Sequence, residues 1–227
     1  MDRSDLQETL VALYLRLNGY FASGFIAHAP DGNLTELDVL AVRFPKHKEP
    51  EREIQPCTHL HPSKDRVDVL IGEVKGGEKN PKFNAKFRER PEAVKKVLNR
   101  IGAFSDEEID DFVPKIMAMA NPETLRKADD FPVLPVGSSL AQIRLVLFAP
   151  DQRRDSKKKG PVIYGDDMLN YSWECLHPSA PRVECAVDYD RKLWGHQFND
   201  LVAYFKDWRR QRPGTIKDVY VTVLGDT

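Results

Sequence analysis

The feature that most constrains this chain is a pair of nearly continuous apolar runs, each carrying acidic residues. In residues 34–44 the positions Leu37, Val39, Leu40, Ala41 and Val42 leave little room for polar alternation, and Val67–Val74 reads Val-Asp-Val-Leu-Ile-Gly-Glu-Val. Turn formers bound them: Pro30-Asp31-Gly32-Asn33 before the first and Gly76-Gly77 after the second. Short apolar runs so punctuated read as strands, and the missing alternation predicts that both sheet faces are covered. Residues 143–148 repeat the pattern, residues 20–29 read as extended, and residues 219–224 read as a last strand.

Strands covered on both faces need helices, and the sequence supplies them. Leu6, Leu10, Leu13, Tyr14 and Leu17 recur at helical spacing behind a capping box, Ser4-x-x-Gln7, and stop at Asn18-Gly19. Pro91 opens a helix with Val94, Val97, Leu98 and Ile101 on one face. Ser105-x-x-Glu108 opens another carrying Ile109, Phe112, Val113, Ile116, Met117 and Ala120, with a kink or shifted start expected at Pro114. Asp166 caps a short helix through Trp173, and Trp194, Phe198, Leu201, Phe205 and Trp208 form an amphipathic stripe. The expectation is an α/β fold around a mixed sheet, as one domain over 1–227, with a polar loop insertion at 45–65 and a helical elaboration at 78–130.

Composition removes several classes. With 41% hydrophobic and 30% charged residues, the chain is neither disordered nor fibrous. Its 34 Lys and Arg against 35 Asp and Glu leave a net charge of −1, so a nucleic-acid partner must be held by local patches. No apolar run approaches the ~18–20 residues that span a bilayer, so no membrane partner is expected. Met1-Asp2-Arg3-Ser4-Asp5 lacks the layout of a signal peptide, and three cysteines without framework spacing fit a reducing compartment. A cytoplasmic location is expected.

The chemistry concentrates at strand ends. Strand residues at i and i+2 share a face, so Glu73 and Lys75 project together, as do Glu36 and Asp38. If the two strands pair, three carboxylates and one ammonium converge. Carboxylates ~4 Å apart repel by about 4 kcal/mol at an effective dielectric near 20, so such a cluster calls for a cation. All-oxygen ligation points to Mg²⁺ or Mn²⁺.

The sequence Leu37-Asp38, followed after 34 residues by Glu73-Val74-Lys75, resembles the PD-(D/E)XK phosphodiesterase superfamily. The opening stretch, from Glu8 through Gly19-Tyr20 to Asp38, is similar to archaeal Holliday-junction resolvases and restriction-endonuclease-like proteins. The resemblance covers about Leu6 to Gly77 and, more weakly, residues 143–148. It implies a restriction-endonuclease-like core of a helix, three strands, a helix and a strand. It also implies that Asp38, Glu73 and the Val74 carbonyl ligate the metal, that Lys75 activates or orients the attacking water, and that Glu8 is the acidic residue of the first helix. Leu37 stands where the motif has proline, and the insertion before Glu73 is long. The implied activity is Mg²⁺-dependent hydrolysis of DNA, as an endonuclease. The partner it implies is DNA, with RNA left open, and a homodimer or a subunit of a complex is compatible with the resemblance. The alternative from another class is a non-catalytic module on the same fold that binds nucleic acid or protein.

Directly after Lys75 the chain turns basic, with eight Lys or Arg against two Glu from Lys79 to Arg100. Lys79, Lys82, Lys86 and Arg88 are the expected phosphate contacts, against the simpler reading of a solvated helix face. Cys57-Thr-His59-Leu-His61 with His47 nearby, and Cys175 with His177 and Cys185, lack the spacing of zinc motifs; a polar loop is expected for the first. Ser138-Ser139 lacks the setting of a nucleophile elbow, and Gly76-Gly77 lacks the Walker pattern.

Overall fold

The computed structural model describes residues 1–28, 34–47, 54–60, 62–77, 80–127, 131–135, 141–154, 161–177 and 195–226. Helix α1 (Arg3–Leu17) precedes β1 (Phe21–His28), β2 (Leu34–Arg43) and β3 (Val67–Val74). Then come α2 (Ala85–Glu89), α3 (Pro91–Ile101), α4 (Asp106–Met119) and α5 (Pro122–Lys127). Strands β4 (Val133–Pro135), β5 (Ala141–Ala149) and β6 (Val162–Tyr164) lead to α6 (Gly165–Leu176), α7 (Asn199–Lys206) and α8 (Ile216–Leu224).

The six strands form one mixed sheet in the order β1-β2-β3-β5-β4, with β6 also pairing β5. The first three strands are an antiparallel meander. The chain then crosses through α2 to α5 and returns in β5 parallel to β3, aligning Val74 with Phe148. The two carboxyl ends therefore lie side by side. Helices cover both faces. Val39, Ala41, Leu70, Val146 and Phe148 pack with α1, α6, α7 and α8, whereas Leu37, Ile71, Ile143, Leu145 and Leu147 pack with α2 to α5. Gly72 marks a tight crossing inside the sheet, because a Cβ there would lie 2.8 Å from the Phe148 ring and 3.1 Å from Val39 Cβ.

Several expectations change. The first helix starts earlier, with a capping box made by Asp2 and Asp5 instead of Ser4 and Gln7, because Asp2 takes the extended N-cap conformation. The expected strand at 219–224 is helix α8, set by the Thr215–Asp218 capping box and by Gly225 in the left-handed conformation at its end. The aromatic stripe splits. Phe198, Leu201 and Phe205 are buried, but α7 stops at Lys206 and Trp208 beyond it is 75% exposed. Trp194 lies outside the described residues. Helix α4 continues past Pro114, since Phe112, Val113 and Ile116 hold both sides of it in the core. The 45–65 loop has no strand or helix among its described residues, yet it is not purely polar, because Cys57 and Leu60 are seated in the α1-side core. No helix among the described residues is long and apolar enough to cross a membrane.

At its amino end β3 carries a fully buried acid, Asp68, beside a nearly buried Arg144. Asp68 accepts from Tyr20 Oη at 2.6 Å and Gln142 Nε2 at 3.0 Å, and pairs with Arg144 at 3.3 Å. Both carboxylate oxygens are thereby engaged. Asp68→Ala strands the guanidinium without its counter-charge and should cost about 3–5 kcal/mol in urea unfolding. A loss under about 1 kcal/mol would show that the pair is not a structural tie.

Candidate active site

The candidate site lies at the opposite end of β3, where the meander's ladder stops. Pairing of β2 with β3 runs from Arg43–Asp68 to Val39–Gly72. Between β1 and β2 the register slips: Ser23 faces Leu40 but Phe25 faces Leu37, so two residues of β2, Asp38 and Val39, oppose Gly24 alone. This bulge rotates the strand and ends regular alternation. It explains why Leu37 and Val39, two apart, enter opposite cores. It also turns Asp38 toward β3, where its Oδ2 accepts the Val74 N–H at 2.7 Å. A carboxylate thus takes the place of a ladder carbonyl. Because a strand residue's N–H and C=O point the same way, the Val74 carbonyl faces the same gap. Lys75 N donates to Phe148 O at 2.8 Å on the other side, consistent with that alternation.

Glu73 is fully buried. Its Oε1 accepts Lys75 Nζ at 2.8 Å, as the shared face of i and i+2 requires. Lys75 Nζ donates also to Asn84 Oδ1 at 3.1 Å, and Asn84 Nδ2 approaches the Glu36 carbonyl at 3.4 Å. Glu73 Oε2 is buried and has no hydrogen-bond partner among the described residues. Burial, and then the charge of Asp38, push the Glu73 carboxyl up to about 7, against the opposing pull of Lys75 and Asn84. Glu8 on α1 is exposed, yet partial desolvation and the charges of Asp38 and Glu36 raise its pKa. The structure therefore brings Asp38, Glu73 and Lys75 together, with Glu8 and the exposed Glu36 at their margin.

Sequence reasoning missed two contributors. Asn84 is the N-cap residue of the short α2, and it tethers Lys75 from outside the motif. Gln7 is nearly buried beside Gly76, where a Cβ would lie 2.7 Å from its amide. Its Nε2 donates to Tyr220 Oη at 2.7 Å and Asp151 Oδ2 at 3.1 Å, joining α1, α8 and the exit of β5 behind the site. The glycine after the strand was the available signal, but nothing local pairs it with a residue on the first helix.

Of the expected phosphate contacts, Lys82 and Lys86 are exposed, and Lys79 lies outside the described residues. Arg88 is turned inward, its Nε donating to Phe83 O at 2.9 Å, which removes it from the basic surface. The cysteine and histidine pairs diverge. Cys57 is in the core, while His59 approaches Asp167 at 3.4 Å. Cys175 is buried, and His177 stacks on Trp173 and bonds Phe205 O. His61, Cys185 and Ser138-Ser139 lie outside the described residues. Among the described residues no group of three or more His, Cys, Asp or Glu side chains is gathered to hold a metal ion. Comparison with protein families, curated proteins and solved structures finds no significant match to this chain.

The raised Glu73 pKa has a stability consequence with a definite sign. Between the ordinary value of 4.5 and about 7, the folded protein holds a proton that the unfolded chain has lost. Stability should therefore fall as pH rises through that window, by on the order of 3 kcal/mol in chelated, metal-free buffer. Glu73→Gln should flatten the decline, measured by unfolding at successive pH values. An unchanged curve in the variant would assign the titration elsewhere.

Proposed function

We propose that this chain is a nuclease of the PD-(D/E)XK type that hydrolyses phosphodiester bonds in DNA with Mg²⁺ or Mn²⁺, on a single restriction-endonuclease-like domain. The observation that carries the reading is the contrast between two fully buried carboxylates in one strand. Asp68 has both oxygens engaged, whereas Glu73 keeps one oxygen that makes no hydrogen bond of good geometry among the described residues. An unpartnered buried carboxylate oxygen costs about 1–3 kcal/mol or more, and a tie that served only the fold would be completed as Asp68 is. A hard cation completes it. Topology supports the same reading, since a helix, an antiparallel meander, crossover helices and a parallel strand follow the order that the resemblance implies.

The donor set fits a divalent cation that keeps much of its own water. Mg²⁺ is commonly held by only one or two carboxylates, so Asp38 and Glu73 with the Val74 carbonyl suffice without a third acid. Such an ion supplies charge neutralisation on a phosphate and a more acidic bound water. Lys75 has a separate task. Held by Glu73 and Asn84, its ammonium is kept at the strand end, where it would orient the nucleophile and oppose the negative charge that grows on a phosphate under attack. Exposed Lys82 and Lys86 follow on the chain to meet the backbone of the nucleic acid.

Supercoiled plasmid incubated with Mg²⁺ tests the reading. The wild-type protein should nick it. Asp38→Asn keeps an acceptor for the Val74 N–H but removes the charge, and Lys75→Met removes the ammonium; each should lower the rate by about a hundredfold or more. Full activity in Lys75→Met overturns its assigned role. DNA binding without cleavage of plasmid, linear duplex, single strands or RNA, with Mg²⁺ or Mn²⁺, would leave the non-catalytic binding module.

A further inference from the structure

A cavity of about 300 Å³ opens where the exit of β5 meets the first turns of α6 and α8. Its wall includes Pro150, Gln152, Arg153, Asp166, Arg212 and Ile216. Three observations give it a function. The first is charge. Two guanidinium-bearing residues line it, and Arg153 makes no hydrogen bond or ion pair among the described residues, whereas its neighbour Arg154 is fully occupied by Asp167 and stacked on Tyr164. The carboxylate in the wall, Asp166, is turned to the backbone N–H groups of Arg154 and Asp167. Asp218 nearby is held low by its Thr215 bonds and by Arg212 and Arg210.

The second observation is position. Val74 pairs with Phe148, so Pro150 follows only one residue beyond the level of Lys75 at the same end of the sheet. Asp151, between the two wall residues Pro150 and Gln152, is the residue that Gln7 and Tyr220 grip behind the candidate site. The third is the chain that leads in. Trp208-Arg209-Arg210-Gln211-Arg212 begins with the most exposed large apolar side chain described, 75% accessible, and ends in the cavity wall. Four residues span at most ~14 Å, so the indole stays within a few nucleotides of the cavity. Exposed indoles beside guanidinium groups are surfaces on which bases stack.

We propose that this cavity is a phosphate-binding subsite, which holds a backbone phosphate of the nucleic acid away from the one being cleaved. It rests on the nuclease reading for the identity of the polymer, but its test does not need cleavage. Binding of labelled single-stranded and duplex DNA is measured by anisotropy in chelator, from about 50 to 200 mM salt. Replacing both residues (Arg153→Gln and Arg212→Gln) should weaken binding and shallow the log–log salt slope by about two units; Arg153→Lys with Arg212→Lys, which keeps both charges, should restore it. An unchanged slope in the double Gln variant overturns the proposal. So does a thermal shift by inorganic phosphate that the Gln variant loses while its DNA slope stays wild-type, since the cavity then serves a free phosphate compound. Should the double Gln variant fail to fold, Arg153→Gln and Arg212→Gln are measured singly: a slope shallower by about one unit in each upholds the subsite, and an unchanged slope in both overturns it. Failure of the nuclease reading is read separately, from the absence of Mg²⁺-dependent cleavage by the wild-type protein.

Discussion

The site depends on one costly placement: a glutamate fully buried at the end of a core strand, paired on one oxygen and without a hydrogen-bond partner among the described residues on the other. Burial in a strand makes Lys75, two residues on, its geometrically obligatory partner. Asn84 then restrains the lysine from the following helix. The pair alone does not bring the carboxyl back to its ordinary range, because the neighbouring Asp38 opposes ionisation along with desolvation. The strand end is therefore electrostatically incomplete, and the proposed cation rests on that incompleteness.

The surrounding architecture serves this end of the sheet. The β2 bulge frees Asp38 from the alternation of its strand and lets its carboxylate cap the Val74 N–H beyond the last ladder pair. The parallel return of β5 aligns the exits of β3 and β5, so Gln7, Gly76, Asp151 and Tyr220 gather behind the site and the arginine-lined cavity opens beside it. At the other end of β3, Asp68 with Tyr20, Gln142 and Arg144 fixes register among the same strands with no oxygen to spare.

Much of this was legible from the chain. The bounds of β3 and α3 follow directly from a nearly continuous apolar run and from Pro91 at a helix start. The Glu73–Lys75 contact follows from strand periodicity alone. What was not legible depends on partners distant in sequence. A bulge is a property of two strands in register, so Asp38's escape from alternation has no local signature. Residues 219–224 combine β-branched and aromatic residues that favour strands, and only the Thr215–Asp218 box and Gly225 decide for helix. Arg88 looked like part of a basic face, but its guanidinium reaches back to the Phe83 carbonyl five residues earlier. The basic cavity joins Arg153 and Arg212 across more than fifty residues of chain, beyond the reach of any motif.

The most direct test of the central claim is a ¹³C NMR titration of the Glu73 side-chain carboxyl, with and without saturating Mg²⁺. In metal-free buffer the carboxyl should titrate near 7, as desolvation and Asp38 dictate. With Mg²⁺ it should stay ionised down to or below the ordinary glutamate range, because a cation on the bare oxygen favours the charged form. A titration that Mg²⁺ leaves unmoved would contradict the account, and make Glu73 and Lys75 a buried ion pair and nothing more.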